Sequence, residues 1–241
     1  MKVSLFVTCL VDQVFPQVGL STIRILNRLG VDVDFDERQA CCGQPAFNSG
    51  HSDESRTVAR GFLEAYAGCG PVVVPSGSCA TMLKVFVPTL FPPDSRDGRL
   101  AREIAGRTYE LSDFLVSVLG VTRTGARFPE AVTYHDSCHQ LRELGIARQP
   151  RLLIQGVEGV RFLEMPNAAR CCGFGGTFSV KFADVSAAIG EDKVDTIHQS
   201  GARYVVANDV SCLMHIGGLL QRRGSQVRTL HLAELLAKFE G

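Results

Sequence analysis

Residues 41–45 read Cys41-Cys42-Gly43-Gln44-Pro45, and residues 171–176 read Cys171-Cys172-Gly173-Phe174-Gly175-Gly176. Working outward from these two vicinal pairs, the rest of the chain falls into the same order twice. Cys9 precedes the first pair by 31 intervening residues and Cys138 precedes the second by 32. Beyond the pairs come Cys79 and Cys212, each after an apolar run: Val72-Val73-Val74 leads to Ser78-Cys79, and Val205-Val206 to Ser211-Cys212. Thr108-Tyr109-Glu110-Leu111 then parallels Thr229-Leu230-His231-Leu232. Such order signals an internal duplication, and periodic order of this kind outranks local propensity as a guide to fold. Of nine cysteines only Cys69 lacks a counterpart, so it is expected to be an inert core thiol.

Between the cysteines, hydrophobic periodicity alternates between the two regular types. Lys2–Thr8, Val31–Phe35 and 71–74 read as strands in the first half, with helices over Val18–Leu29 and about 53–67. The second half repeats this with strands at 131–135, 159–165 and 203–207 and helices around 150–155 and 183–199. Strands alternating with helices predict parallel α/β units. The expected fold is therefore α/β, two tandem homologous parallel units of residues 1–125 and 126–241, packed as pseudo-two-fold halves. In each half the cysteines follow the C-terminal ends of strands, where open α/β sheets place their sites.

Charge excludes several partners. Lys plus Arg and Asp plus Glu number 25 each, split almost evenly about Ala126, so no basic face is expected and neither nucleic acid nor anionic lipid is an expected partner. No apolar run approaches the ~18 residues of a membrane span, so no membrane insertion is expected. Met1 to Val11 has one positive charge and no small-residue cleavage site, and Asp12 follows at once, which argues for a buried strand and not an export signal. The expected compartment is the reducing cytoplasm, where clustered thiols are metal ligands or catalytic groups more often than disulfides.

Four cysteines per half is the ligand count of a sulfur-rich tetrahedral site, structural zinc or an iron–sulfur cluster. The candidate ligands are Cys9, Cys41, Cys42 and Cys79 in one half and Cys138, Cys171, Cys172 and Cys212 in the other. The sequence has no C-x-x-C pair of the kind zinc sites favour, and vicinal cysteines splay apart, which suits separate iron atoms; zinc in one or both sites is the alternative. Gly43 and Gly173 let backbone N–H groups approach sulfur. His135, His139 and His215 neighbour the cysteines and are candidate accessory groups for orienting sulfur or moving a proton, as is His51. Asp209 is a candidate oxygen ligand or relay, with turn formation as its structural role. Arg142 and Arg170 are candidate carboxylate clamps. There is no dinucleotide fingerprint: Gly173-Phe174-Gly175-Gly176 lacks the G-x-G-x-x-G spacing.

The duplicated pattern resembles the cysteine-rich CCG domain found in heterodisulfide reductase and in the iron–sulfur subunits of glycolate oxidase and anaerobic glycerol-3-phosphate dehydrogenase. Over nearly the whole chain it resembles the lactate utilization protein A family, through Phe6-Val7-Thr8-Cys9-Leu10, Cys41-Cys42-Gly43-Gln44-Pro45-Ala46, Pro75-Ser76-Gly77-Ser78-Cys79-Ala80, Arg107-Thr108-Tyr109-Glu110-Leu111, Cys171-Cys172-Gly173-Phe174-Gly175-Gly176-Thr177-Phe178 and Cys212-Leu213-Met214. The resemblance implies an iron–sulfur electron-transfer subunit, with two [4Fe–4S] centres on the eight repeated cysteines, in a complex oxidising L-lactate to pyruvate. Its implied partners are a ferredoxin-like iron–sulfur subunit and a third subunit. The same chemistry would serve another 2-hydroxy acid or glycerol phosphate, and a zinc-stabilised assembly subunit without redox activity is the remaining alternative. One departure separates the chain from heterodisulfide reductase: where that protein ends each motif in C-x-x-C, the first cysteine falls here on Ser76 and Asp209. The non-cubane cluster and disulfide chemistry of that enzyme are not carried over.

Overall fold

A computed structural model describes residues 1–239. In the first half, β1 (Lys2–Leu5) runs into α1 (Cys9–Gln13) and α2 (Pro16–Arg28), and β2 (Asp32–Asp34) into α3 (Gln44–Asn48) and α4 (Ser52–Tyr66). β3 (Val72–Val74) leads through α5 (Gly77–Thr81), a π-helical and a 3-10 turn to α6 (Arg96–Gly106), β4 (Thr108–Glu110) and α7 (Leu111–Asp113). The second half comprises β5 (Ala131–Tyr134), α8 (Cys138–Leu144), α9 (Arg148–Gln155), β6 (Arg161–Phe162), α10 (Phe178–Lys181), α11 (Ala183–Ser200), β7 (Tyr204–Ala207), α12 (Val210–Arg222), β8 (Arg228–His231) and α13 (Leu232–Leu236).

Each half forms one four-stranded sheet, in the orders β2-β1-β3-β4 and β6-β5-β7-β8, and every pairing is parallel. The chain leaves the first strand of each sheet toward one side and returns to its other side, which creates a switch point between β1 and β3 and between β5 and β7. Cys9 and Cys79 follow the C-terminal ends of the first pair, Cys138 and Cys212 those of the second. Here the crossover loops diverge and leave room for a site.

The observed strands are shorter than the apolar runs predict. β1 stops at Leu5 because Cys9 begins a helix, and β6 pairs over only Arg161–Phe162 of the expected 159–165 run. Helix ends follow local chemistry: α2 begins with Pro16, whose missing N–H is no loss in the first turn, and Gly30 just beyond its end takes φ +74°. Ser95 caps α6 by accepting from Gly98 N at 3.0 Å.

The halves meet through reciprocal helix contacts. α2 packs on α13 as α9 packs on α7, and α5 packs on α8 as α12 packs on α1. Because α9, α12, α8 and α7 repeat α2, α5, α1 and α13, these are the contacts of an isologous interface folded into one chain. One core runs through it: Val18, Ile25 and Leu26 of α2 join Leu153 and Ile154 of α9 and Leu235 and Leu236 of α13, all buried. Each such side chain contributes about 1.5–3 kcal/mol on burial, which ties the halves together. Two further cores lie on the outer faces, under α4 to α6 and under α11 and α12.

Candidate metal centre

In the first half Cys9 stands at the start of α1, Cys41 and Cys42 in the loop after β2, and Cys79 in the first turns of α5. Cys9 Sγ lies 3.8 Å from Cys41 Sγ, and Cys42 Sγ lies 3.4 Å from Cys79 Sγ. The vicinal thiols do not splay apart as expected: Cys41 and Cys42 also contact each other, so the four sulfurs run in the order Cys9, Cys41, Cys42, Cys79. The second half repeats the arrangement: Cys171 contacts Cys138 and Cys172, and Cys172 contacts Cys212. Cys41 Sγ accepts from Gly43 N at 3.4 Å and Cys171 Sγ from Gly173 N at 3.3 Å. Both glycines have positive φ, +84° and +91°. At Gly173 a Cβ would also stand 2.4 Å from Ser186 O, so this turn excludes every other residue. All eight thiols line a single cavity of about 160 Å³ between the halves. Cys69 lies outside it, its thiol 3.8 Å from Ala65 O, but it is half-buried in the loop after α4 and joins none of the hydrophobic cores, so it is not the core thiol expected.

Crowding differentiates the thiols. The Cys42 and Cys9 thiols and the Gly43 N–H lower Cys41, and those of Cys138 and Cys172 with the Gly173 N–H lower Cys171. Their partners Cys9, Cys42, Cys138 and Cys172 are raised, first by the neighbouring thiol and then by burial. Each group therefore ionises in steps, and a soft cation compensating the accumulated charge is what such an all-sulfur donor set favours.

The accessory candidates separate. His135, at the end of β5, is fully buried with no hydrogen-bond partner for either ring nitrogen, and a ring nitrogen lies within 4.8 Å of Cys172 and Cys212 Sγ. Burial and then the nearby Lys193 ammonium push it down to about 3, so it is a neutral imidazole. His139 lines the cavity, and its Nδ1 accepts from Gln44 Nε2 at 3.0 Å across the two halves. His215 stands behind the second loop, its Nε2 3.4 Å from Ser186 O. His51 precedes α4 as an exposed residue, and Arg142 and Arg170 are exposed outside the cavity; Arg170 pairs with Asp192 at 3.3 Å.

Asp209 has specific partners in the opposite half. Its Oδ1 accepts from Ser76 Oγ at 2.6 Å, Ser78 Oγ at 2.7 Å and Ser78 N at 3.1 Å. Ser76 and Asp209 are equivalent positions of the two halves, so this bond crosses the pseudo-two-fold axis. Gly77 makes the approach possible: a Cβ there would stand 2.5 Å from Gln140 Cβ of α8. Beneath lies a second buried crossing, in which Asn208 Nδ2 donates to Glu110 Oε1 at 2.8 Å. Burial raises Glu110 to about 7. Gln44, Gly77 and Glu110 lie within conspicuous segments of the sequence that give no hint of these contacts, and Lys193 lies in none; the register of the two halves is the signal that finds Lys193, which stands where the first half has Phe62.

These observations define the class: a tandem protein of two parallel α/β units, each presenting a vicinal cysteine pair, a leading and a trailing cysteine. The family described as the cysteine-rich domain CCG matches residues 3–84 and 132–217. Lactate utilization protein A of Macrococcus caseolyticus is 48% identical over 236 residues, covering 98% of this chain and 96% of its own. Lactate utilization protein A 1 of Bacillus cereus is 44% identical, covering 98% of each. The chain belongs to the lactate utilization protein A family. Among solved structures, a hypothetical protein from Helicobacter pylori is similar in fold, with a TM-score of 0.63 at 10% identity; it covers the whole of this chain, which spans about half the length of that one.

Proposed function

We propose that the chain is an iron–sulfur electron-transfer subunit of an L-lactate utilization system converting L-lactate to pyruvate. Cys9, Cys41, Cys42 and Cys79 would hold one centre and Cys138, Cys171, Cys172 and Cys212 the other, each a [4Fe–4S] cluster in units 1–125 and 126–241. The observation that carries this reading is the gathering of four thiols in each half, Cys9, Cys41, Cys42 and Cys79 and Cys138, Cys171, Cys172 and Cys212, around one cavity shared by the halves. Relatives named for lactate utilization, nearly coextensive with the chain, support the substrate of the system. The proposed partners are a ferredoxin-like iron–sulfur subunit and a third subunit, in the cytoplasm; among the described residues no helix is long and apolar enough to cross a membrane.

When bound, such clusters supply one-electron acceptance and donation. The chain's own residues prepare for that role. Gly43 and Gly173 aim N–H groups at Cys41 and Cys171, which stabilises negative charge on sulfur. Gln44, donating to His139 Nδ1 and to Ser78 O, ties the two halves together at the wall of the cavity.

A second reading, two structural zinc ions, is favoured by one distance. Bonds of about 2.3 Å give a ZnS4 tetrahedron an edge of about 3.8 Å, the Cys9 to Cys41 separation. Metal and sulfide analysis of anaerobically purified and reconstituted protein distinguishes the two. The expected result is about eight iron atoms with matching sulfide per chain; zinc at one or two per chain and no iron after reconstitution would overturn the redox reading. Growth of a deletion strain is expected to fail on L-lactate and persist on glycolate; the reverse would reassign the substrate.

A further inference from the structure

The two halves repeat their cysteines but not what stands behind them. Phe6 precedes Cys9 by three residues and His135 precedes Cys138 by three. Ser55 of α4 and Ser186 of α11 both face the glycine of their Cys-Cys-Gly turn, and seven residues on come Phe62 and Lys193. Phe6 and Phe62 are buried and meet edge to face at 5.7 Å. In the second half the same two places hold His135 and Lys193, each 0% exposed.

We propose that this substitution makes the two cysteine sites unequal, the second holding the more easily reduced centre, with His135 and Lys193 as the positioning residues that set the difference. The inference rests on the iron–sulfur reading above. A buried ammonium costs several kcal/mol unless negative charge faces it. Lys193 Nζ donates to Asn167 O at 3.0 Å and Ala168 O at 3.1 Å, in the loop entering Cys171. The negative groups acting on it are Cys172, Asp136 and Cys171, and Asp136 is already held in a two-bond clamp by Arg151. With a centre bound, the ionised sulfurs of Cys171 and Cys172 would be its remaining counter-charge.

His135 adds a buried ring beside Cys172 and Cys212 whose nitrogens make no well-formed hydrogen bond, only a backbone approach at Ala168, a cost that a sulfur acceptor relieves. A cation and a donor both stabilise the added negative charge of a reduced centre. The aromatic pair behind the first site offers neither. The glycine N–H bonds to sulfur, 3.4 Å in one half and 3.3 Å in the other, are matched and cancel from the comparison. Asp209 acts on Cys138 in the opposite sense, but its Oδ1 is engaged by three donors of the first half; an electron shared between the sites therefore resides on the second, with no bond or proton exchanged.

The test is a dithionite titration of the reconstituted full chain, followed by electron paramagnetic resonance against a measured potential, with iron content determined on the same samples. Two separated reduction waves are expected in the wild type. His135→Phe, which copies Phe6, and Lys193→Gln, which keeps a donor and loses the charge, are each expected to lower the upper wave by at least tenfold in its equilibrium constant, about 59 mV for one electron, at unchanged iron. The lower wave is expected to stay. A wild type with full iron and coincident potentials overturns the inference whatever the variants do, as does a variant that moves only the lower wave. An iron-free wild type overturns the parent reading, and this inference with it.

Discussion

Replacing Asp209 by alanine is expected to destabilise the protein by about 2–4 kcal/mol. Asp209 is 1% exposed, and three donors of the first half converge on its Oδ1 within 3.1 Å. Hydrogen bonds to a charged acceptor contribute about 1.5–3 kcal/mol each. The full sum is not lost, because Ser76 and Ser78 hydroxyls lie 3.3 Å apart and can pair with each other, and because removal relieves the desolvation of a buried carboxylate. What is left without a partner is Ser78 N in the first turn of α5. Against a total stability of about 5–15 kcal/mol, the loss is large enough to read from urea unfolding of the reduced, metal-free chain. Asp209→Asn, which keeps the acceptor and loses the charge, is expected to lose about half as much. A double-mutant cycle with Ser76→Ala should return a coupling of about 1.5–3 kcal/mol. A loss below about 0.5 kcal/mol for Asp209→Ala, or additive single variants, would refute the assignment of this carboxylate as a clamp across the axis.

Gly77→Ala is expected to cost about 1–3 kcal/mol by overpacking, because its Cβ meets Gln140 Cβ at 2.5 Å, whereas Gly218→Ala in α12, where nothing lies within 4 Å, is expected to stabilise by up to about 1 kcal/mol; comparable melting temperatures for the two variants would contradict the packing argument. Glu110 carries a pH signature. Its folded value of about 7 lies above the ordinary 4.5, so the folded state binds the proton more tightly. The stabilisation is fully present below about pH 4.5 and lost as pH rises through about 7, by roughly 3 kcal/mol. Glu110→Gln is expected to flatten the melting temperature between pH 5 and 8; an unchanged slope would exclude Glu110 as its source.

The fold is legible in the sequence because the cysteine order repeats and because apolar runs such as Val72–Val74 bound it, two signals that reinforce each other. Strand ends are not legible, since Phe6 to Thr8 are as apolar or β-branched as the strand before them, yet Cys9 opens a helix. Asp209 illustrates a different limit. Its neighbours in sequence, Asn208 and Val210, describe a turn, whereas its partners Ser76 and Ser78 lie more than 130 residues away. Lys193 is readable in principle: it shares the buried face of α11 with Ser186, Gly190 and Ile197, where an unpaired lysine is anomalous. The burial of His135 without a partner depends on the tertiary packing around β5 and has no counterpart in local sequence.

Because the halves meet about an axis, two separate copies of one unit docking in the same way would set identical residues against each other at that axis. Two aspartates there would repel, and two serines would make one weak bond. A single polypeptide is free of that identity: it can set Ser76 against Asp209, a donor against an acceptor, and it can keep Phe6 in one half while His135 takes the equivalent place in the other. Joining the units in one chain is thus what permits a symmetric scaffold to carry an asymmetric interior.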